Sequence, residues 1–344
     1  MNYVSKKMRD KTPYEPICGE YKVRLDANES PFPIPQNIIE KFTVWLSSNA
    51  LDRYPDPSCV ALRAAFAKRY GVDASRVVAG NGSDELISVI MTSLLDKGDS
   101  LAVATPEFSM YAFYAGLSEN TVFFTQKDEN YSLDTLLDFV KEKGARAVIF
   151  SNPCNPTGQG FDRETVLSFV ENCPALCIVD EAYMDFWDQS ILDVCDKYEN
   201  LIVLRTLSKA FGAAGLRLGF AVGHESLINA INVARSPYNV NSLSQELGRL
   251  VLESDIDNGT YLAAQAQKLS RKLSELLPDA KIHPTCANFV YLEHRSSKQI
   301  YEGLLCRGVA VRYFSPDRLR ITASTDEELS LLYAAITDIM KGLD

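Results

Sequence analysis

The sequence predicts an α/β fold, with a large domain built on a mainly parallel seven-stranded sheet and a smaller α+β domain. Short apolar segments alternate with helical patterns between about residues 50 and 235. Strands that are joined through helices form parallel sheets covered on both faces. After residue 242 the pattern changes to a long helical stretch, followed by strand, helix, strand, strand and helix. The length of 344 residues suits roughly two domains.

The elements of the first part follow from these patterns in chain order. Residues 1 to about 30 are polar and contain prolines, which predicts an extended arm, and a helical pattern covers about 36–48. The turn-rich segment LDRYPDP precedes a helix for which Ser58 is a candidate N-cap and which ends before Gly71. Further strands are predicted at 76–80, 100–105, 120–124, 146–150, 176–180, 201–205 and 217–222, with helices at 84–95, 134–143 and 162–171.

The last third of the chain has a different organisation. Helical periodicity covers 242–277, with Gly259 as a possible break. Strands are then predicted at 287–294, 309–314 and 318–324, and helices at 297–307 and 326–342. We therefore divide the chain into an N-terminal arm that joins the small domain (1–35), a large domain (36–240) and a small C-terminal domain (241–344).

The composition excludes several classes of protein. Hydrophobic residues make up 46% and charged residues 23% of the chain, which is typical of a globular protein with a sizeable core. The net charge of −10 argues against non-specific nucleic-acid binding, which needs clustered cations. The start of the chain has no apolar secretory segment and no apolar run reaches about 18 residues, so we expect no membrane partner.

Cysteine usage predicts a reduced, cytoplasmic protein without a metal. The eight cysteines are scattered and form no C-x-x-C pair. Cys173 and Cys177 resemble half of a metal site. However, the three histidines, His224, His283 and His294, have no helical ligand spacing.

Polar residues directly after predicted strands are the candidate site, because parallel α/β sheets bind ligands at the carboxyl ends of their strands. The first group is GNGSD at 80–84, where a strand enters a Gly-rich turn and a helix begins near Asp84. Free N–H groups and the helix dipole favour an anion there. Alternatively, Gly82 and Ser83 only turn the chain and cap the helix. Neither G-x-G-x-x-G nor the P-loop motif is present.

Two further groups follow later strands. In SNPCNPTG at 151–158, two X–Pro steps favour a rigid loop that can direct the Asn155 amide toward an anionic oxygen, although an ordinary Pro-rich turn is the alternative. In VDEAY at 179–183, Asp180 closes an apolar strand, with Tyr183 in reach of the same ligand. The desolvated Asp180 carboxylate needs a partner, for which the ring nitrogen of a cofactor is one candidate. Alternatively, Asp180 caps a following helix.

The fourth group is RTLSKAFGAAGLR at 205–217. Lys209 follows a strand inside a loop of small residues, where a neutral amine can form a Schiff base. Ser208 and Arg217 flank this lysine and suit a phosphate. The alternative is that Lys209 is a surface charge and Arg217 an ion-pair partner.

The four groups together are the parts that a pyridoxal 5'-phosphate site requires. They supply a phosphate cradle, a carboxylate for the ring nitrogen, a phenol and a reactive lysine. Asp180 would hold the proton on the pyridinium, so that the ring can act as an electron sink. Lys209 would carry the cofactor as a Schiff base and then move the proton from the substrate α-carbon.

At these residues the sequence resembles the pyridoxal-phosphate-dependent aminotransferases of fold type I and, within them, the histidinol-phosphate aminotransferase subgroup. The resemblance runs from about Tyr14 to the C-terminal helix. It is carried by TPYEP, LDANESPFP, DRYPDP, GNGSDE, TPEFSMY, SNPCNPTG, VDEAYMDF, RTLSKAFGAAGLRLGF, NFVYL and RLRIT. The order and spacing of these stretches are specific for the fold type, and DRYPDP with RTLSKAFGAAGLR is the usual combination of the subgroup.

The resemblance implies a role for each matching residue around the cofactor ring. It makes Lys209 the Schiff-base lysine and Asp180 the partner of the pyridinium nitrogen. It implies that Tyr183 and Asn155 bond the ring hydroxyl oxygen, and that Phe108 stacks on the ring.

The resemblance also implies how the phosphate is held. The implied contacts are Gly82, Ser83, Ser208 and Arg217, with Asp84 starting the helix behind them. Tyr54 in DRYPDP would reach the phosphate of the neighbouring subunit's cofactor, which implies a homodimer.

On the substrate side, Arg320 in RLRIT resembles the arginine that grips the substrate anion in a bidentate fork. Arg312 in VRYF resembles a second anion contact, with an edge-strand surface charge as the alternative. Tyr14 and Asn28 resemble parts of the arm that close over the substrate. The segment 315–319 before Arg320 is shorter than we expect for the subgroup, and a tighter turn could redirect Arg312.

The expected reaction moves an amino group between L-histidinol phosphate and 2-oxoglutarate in histidine biosynthesis. Alternatives are an aromatic or broad-specificity amino-acid aminotransferase and a threonine-phosphate decarboxylase, although RTLSKAF favours the aminotransferase. A non-catalytic regulatory protein would have no need of the reactive lysine. A nicotinamide dehydrogenase would carry the glycine motif that is missing from the sequence.

Overall fold

The computed structural model describes residues 3–9, 11–13, 15–49, 51–129 and 131–343. Its α-helices are α1 (Gln36–Ser48), α2 (Val60–Tyr70), α3 (Ser83–Ser93), α4 (Met110–Leu117), α5 (Leu133–Lys143), α6 (Arg163–Asn172), α7 (Glu225–Ala234), α8 (Ser242–Leu252), α9 (Asn258–Leu276), α10 (Ser297–Cys306) and α11 (Asp326–Lys341). Its strands are β1 (Val23–Leu25), β2 (Val77–Gly80), β3 (Ser100–Thr105), β4 (Thr121–Gln126), β5 (Ala147–Ser151), β6 (Leu176–Asp180), β7 (Leu201–Thr206), β8 (Gly219–Gly223), β9 (Lys281–Ile282), β10 (Phe289–Glu293), β11 (Val309–Phe314) and β12 (Arg318–Thr322).

The larger sheet confirms the predicted α/β fold. Its seven strands lie in the order β2-β8-β7-β6-β5-β3-β4. The neighbours from β7 to β4 run parallel, whereas β8 is antiparallel to both β7 and β2. Strands β5, β6 and β7 are buried along their whole length, as expected for parallel strands that are covered on both faces.

Alternate residues of the central strands pack on opposite faces of this sheet. In β6, Ile178 packs in one cluster with Leu86 of α3, whereas Val179 packs in another with Phe66 of α2. Because both faces are buried, the strand segments appear in the sequence as continuous apolar runs rather than as alternating patterns.

The second sheet has five strands in the order β1-β11-β12-β10-β9. Strand β1 of the N-terminal arm runs parallel to β11, and the remaining pairs are antiparallel. Leu269 of α9, Ile300 of α10 and Ile336 of α11 pack on this sheet in a core of their own. The arm is thereby attached to the C-terminal part of the chain.

Helix α8 packs against α1 and α2. Its residues Leu247 and Val251 lie in the core of the seven-stranded sheet. The division of the chain at residues 35 and 240 stays a prediction.

The start of α2 differs from the sequence prediction for a local reason. The helix begins at Val60 with Cys59 at the N-cap, not Ser58. The Asp56 carboxylate accepts hydrogen bonds from the N–H groups of Ser58 and Val60. Asp56 therefore satisfies the Val60 N–H at the start of the helix, in place of the Ser58 side chain.

The helical stretch after residue 242 breaks at 253–257 rather than at Gly259. Gly259 lies in the first turn of α9, where Asp257 accepts the Thr260 N–H as the N-cap. The sequence patterns do not indicate α4, because MYAFYAGL is apolar at nearly every position and has no amphipathic period. Within the described ranges, no helix is both long and apolar enough to cross a membrane.

Candidate active site

Three loops at the carboxyl ends of parallel strands bring the predicted residues together. Asp180 is the last residue of β6, Asn155 follows β5 and Lys209 follows β7. The strands are in register at this edge, where Ser151 of β5 and Leu204 of β7 lie on either side of Asp180. The group therefore occupies the edge at which parallel α/β sheets bind ligands.

Asp180 is a buried carboxylate, only 4% exposed. Its Oδ2 accepts the Tyr111 hydroxyl at 2.7 Å and its Oδ1 accepts the Ala182 N–H at 3.0 Å. Burial raises the pKa of Asp180 to about 6, with Glu107 and Asp84 adding to the rise and the two hydrogen bonds opposing it. The ion pairs of the described residues do not include Asp180. A buried carboxylate in these surroundings is suited to a cationic ligand.

The Gly-rich turn meets Arg217 at the start of α3. Gly82 is the N-cap at a φ of 88°, and a Cβ there would lie 2.7 Å from Nη2 of Arg217. Arg217 places Nη1 3.5 Å from Ser208 Oγ and Nη2 3.5 Å from Asp84 Oδ2. One space is thus bordered by the first turn of α3, the Ser208 hydroxyl and the Arg217 guanidinium. It stays open because Gly82 has no side chain. This arrangement is suited to a phosphate.

Gly219 also shapes this cradle, and the sequence analysis did not identify it. A Cβ on Gly219, the first residue of β8, would lie 2.2 Å from the backbone nitrogen of Ser83. Glycine therefore lets β8 approach the first turn of α3. The sequence shows Gly219 within LRLGF, but its close approach to Ser83 becomes apparent only from the pairing of β8 with β2.

Asn28 of the arm is joined to the predicted phenol. Its Nδ2 donates to the Tyr183 hydroxyl at 2.9 Å, and its backbone N–H donates to Thr322 Oγ1 at 3.1 Å. Asn28 is fully buried at a φ of 55°, a left-handed conformation that asparagine tolerates better than most residues. A second buried asparagine, Asn288, donates to the Asn28 carbonyl at 3.2 Å. Three hydrogen bonds, to Tyr183, Thr322 and Asn288, thus hold this part of the arm against the site.

The two residues before Asn28 contact the predicted amine and guanidinium. Lys209 Nζ donates to the Ala27 carbonyl at 2.9 Å. Arg320 Nη2 donates to the Asp26 carbonyl at 2.7 Å. The backbone of the arm therefore accepts bonds from two cations that are predicted to contact cofactor and substrate.

Arg320 links the arm to the loop after β5. Its Nη1 donates to Asn155 Oδ1, and its guanidinium lies 5.4 Å from the centre of the Phe289 ring. Arg312 lies directly across from Arg320 in the β11–β12 pair, so both side chains leave the same face of the sheet. The short turn at 315–317 joins the two strands, and Arg312 stays opposite Arg320. Two arginines side by side favour a ligand with an anionic group.

Phe108 and the residue before it contact neighbours of Asp180 and Asn155. The half-buried Phe108 ring packs edge-on against Tyr111, with centroids 5.5 Å apart. Glu107 forms a buried ion pair with Lys127 at 2.7 Å and also accepts the Ser151 hydroxyl. Ser151 Oγ in turn accepts the Asn155 N–H at 3.0 Å. These hydrogen bonds connect the Asn155 loop to the ends of β3 and β4. The sequence does not indicate them, because Glu107, Lys127 and Asn155 follow three different strands.

The structure places one predicted site residue, Tyr54, at the surface. Tyr54 is 80% exposed, and its ring is stacked on Tyr238 at 4.5 Å. No hydrogen bond within the described ranges joins it to the group around Asp180. Tyr14 lies outside the described residues.

The cysteines are free thiols in the structure, and Cys173 and Cys177 are both buried. Over the described part of the chain, no three His, Cys, Asp or Glu side chains are grouped as metal ligands.

The fold is that of an aminotransferase. A family model described as aminotransferase class I and II matches residues 20–336, and the chain belongs to that family.

The names of individual relatives are more specific than the description of the family. The histidinol-phosphate aminotransferase of Thermoanaerobacter sp. (strain X514) is 36% identical over 349 positions, which cover 98% of this chain and 99% of the relative.

Two solved structures have the same fold as this chain. Their sequence identities to it are low, so these comparisons show the fold alone. The histidinol-phosphate aminotransferase of Sinorhizobium meliloti, in complex with pyridoxal-5'-phosphate, aligns with a TM-score of 0.88 at 21% identity, over 100% of this chain and 99% of that one. The L-threonine-O-3-phosphate decarboxylase of Porphyromonas gingivalis aligns with a TM-score of 0.81 at 19% identity, over 93% of this chain and 99% of that one.

The raised pKa of Asp180 predicts a stability cost in the cofactor-free protein. The pKa of Asp180 rises from 3.8, its ordinary value, to about 6 in the folded protein. Between these two pH values the folded state therefore binds a proton that the unfolded state has released. Asp180 therefore destabilises the fold above pH 6, by about 3 kcal/mol, and the cost disappears as the pH falls toward 4. We expect Asp180→Asn to raise the free energy of unfolding at pH 7.5, and the gain to vanish near pH 4.

Urea unfolding of cofactor-free protein between pH 4 and 7.5 measures this difference. Asp188→Asn is the matched control, because Asp188 is exposed and the same exchange there should change little. An Asp180→Asn protein that is less stable than the wild type at pH 7.5 would contradict the expectation.

Proposed function

We propose that this protein is a pyridoxal-phosphate-dependent aminotransferase that moves an amino group between L-histidinol phosphate and 2-oxoglutarate. The observation that carries the proposal is the buried Asp180 carboxylate, which has a raised pKa and lies at the same sheet edge as Lys209. Membership of the aminotransferase family supports the reaction class. The name of the relative at 36% identity over nearly the whole chain supports the amino donor.

The described residues fit pyridoxal phosphate in two respects. The Asp180 carboxylate matches a protonated ring nitrogen, and the turn at 82–84 with Ser208 and Arg217 matches a phosphate. When bound, the cofactor supplies an electron sink for the bond broken at the substrate α-carbon.

The residues of the chain then have distinct tasks. Asp180 keeps the proton on the ring nitrogen. Lys209 would hold the cofactor through its amine and would move the proton at the substrate α-carbon. Tyr183 and Asn155 would hold the ring hydroxyl oxygen, and Phe108 would pack on the ring.

The substrate contacts follow from the two arginines. Arg320 binds the substrate anion in a bidentate fork, and this anion is the phosphate of histidinol phosphate or a carboxylate of 2-oxoglutarate. Arg312 supplies a second contact to the anionic groups of these substrates. Asn28 and, from the sequence, Tyr14 close over the bound substrate. The bonds from Lys209 and Arg320 to the arm carbonyls must then be exchanged for bonds to ligands.

The proposal includes a homodimer in which Tyr54 reaches the partner's phosphate site. Tyr54 stacks on Tyr238, and Arg235 donates to the Pro57 carbonyl, which joins two surface segments. Exposed apolar side chains lie on or next to these segments, namely Leu51, Val60, Val233 and Tyr238. Apolar side chains gathered at the surface favour an interface. We place the enzyme in the cytoplasm, because its cysteines are free thiols and scattered along the chain.

Replacement of Lys209 tests the cofactor. We expect purified protein to absorb visible light and Lys209→Ala to lose that absorbance, with activity falling by about 10²–10⁴-fold because the base is missing. Borohydride reduction followed by peptide mass spectrometry should place the label on Lys209. Lys197→Ala, which removes an exposed lysine, is the control. A colourless wild-type protein that retains no cofactor would end the proposal.

The amino donor is tested by following the spectral change of the holoenzyme with single donors. We expect histidinol phosphate to discharge the enzyme faster than phenylalanine, tyrosine or threonine phosphate. Arg312→Ala should raise KM for histidinol phosphate by a factor that corresponds to about 2 kcal/mol and leave phenylalanine nearly unchanged. Arg318→Ala, on the neighbouring strand, is the matched control. A faster reaction with phenylalanine would favour the aromatic aminotransferase, and release of carbon dioxide from threonine phosphate would favour the decarboxylase.

The shared site is tested by mixing two inactive variants. A Tyr54→Phe subunit and a Lys209→Ala subunit should together form one intact site per mixed dimer. Activity after the two proteins are unfolded and refolded together should therefore exceed the sum of the separately treated samples. Equal activities would leave Tyr54 without a role in the partner's site.

A further inference from the structure

Tyr111 is a fully buried tyrosine in the first turn of α4, a helix that the sequence patterns do not indicate. Its hydroxyl donates to Asp180 Oδ2 at 2.7 Å. The other carboxylate oxygen accepts the Ala182 N–H at 3.0 Å, directly after β6. Two donors on two different elements therefore fix the plane of the carboxylate. Each carboxylate oxygen retains capacity for a second hydrogen bond, so the group can still accept one from a ligand.

The Tyr111 ring has a second contact in the same site. It packs edge-on against Phe108, with an interplanar angle of 84°. Replacement of Tyr111 by phenylalanine keeps this ring contact and removes only the hydroxyl. The two contacts can therefore be separated by experiment.

The electrostatic surroundings make the phenol a permanent donor. Burial raises the pKa of Tyr111 well above its ordinary value, and the negative charges of Asp180 and Glu107 raise it further. The charged groups that act on Asp180 are Glu107, which follows β3, and Asp84 in α3, and both oppose its ionisation. Against them, the Tyr111 hydroxyl and the Ala182 N–H stabilise the ionised form.

We propose that Tyr111 is a positioning residue for the aminotransferase reaction, whose hydroxyl holds the Asp180 carboxylate in the orientation that meets the ring nitrogen of the cofactor. The inference rests on the proposed function, since it requires Asp180 to be that partner. Tyr111 acts through Asp180 and has no task at the substrate.

The first test is the dissociation constant of pyridoxal phosphate, measured by equilibrium dialysis on wild type and variants. We expect Tyr111→Phe to weaken binding about tenfold, as for the loss of one hydrogen bond to a charged group. It should lower kcat while KM for the amino donor stays within about twofold. The matched control is Tyr131→Phe, because the buried Tyr131 hydroxyl has no hydrogen-bond partner in the described part of the chain.

The second test separates positioning from a general loss of structure. In an Asp180→Asn background, Tyr111→Phe should cause little further weakening of cofactor binding, because the two residues act as one unit. In cofactor-free protein, Tyr111→Phe should move the titration of Asp180 upward from about pH 6, since a bond to its ionised form is lost. A structural defect would lower stability equally at every pH. Carboxyl NMR of the aspartates, or urea unfolding against pH, measures the shift.

The outcomes distinguish this inference from the proposed function. If the wild-type protein binds pyridoxal phosphate through Lys209 but Tyr111→Phe behaves like Tyr131→Phe, the role of Tyr111 is overturned and the function stands. Equal weakening by Tyr111→Phe with and without Asp180 also overturns it. If the wild-type protein binds no pyridoxal phosphate, the function itself fails, and the titration of Asp180 in cofactor-free protein still tests the bond.

Discussion

A carboxylate buried at the end of a parallel strand is the constraint on which the rest of the site depends. Asp180 closes β6 with a raised pKa, so ionising it inside the folded protein costs free energy. The fold offsets this cost only in part, through the Tyr111 hydroxyl and the Ala182 N–H. A cationic ring would supply the remainder. The site is therefore less stable alone than with its ligand, which is common where function opposes stability.

The parallel sheet explains how the other groups meet this carboxylate. Strands β5, β6 and β7 run in the same direction, so the loops that follow them open at one edge. The loop after β5 carries Asn155 and the loop after β7 carries Lys209. Antiparallel β8 runs beside β7 and brings Gly219 against the first turn of α3, next to the Gly-rich turn at 80–84.

The N-terminal arm joins the two sheets at the site. Strand β1 pairs with β11 of the five-stranded sheet, and residues 26–28 continue from it toward Lys209, Arg320 and Tyr183. Their carbonyl groups accept bonds from both cations, so neither cation is left without an acceptor. In the proposed function, an anionic ligand at these cations would exchange one set of acceptors for another.

The sequence by itself determined the seven strands of the large sheet, its mainly parallel character and the loops that carry Asp180, Asn155 and Lys209. It did not indicate β1 or β9. Apolar runs and Gly- or Pro-rich turns are local features, and the rule that ligands bind at carboxyl ends of strands converts them into a site. Tertiary structure decided the contacts between distant segments: Tyr111 with Asp180, Gly219 with Ser83, Lys127 with Glu107, and Arg312 across from Arg320. These contacts depend on which strands become neighbours and in which register, and no local pattern in the chain encodes either.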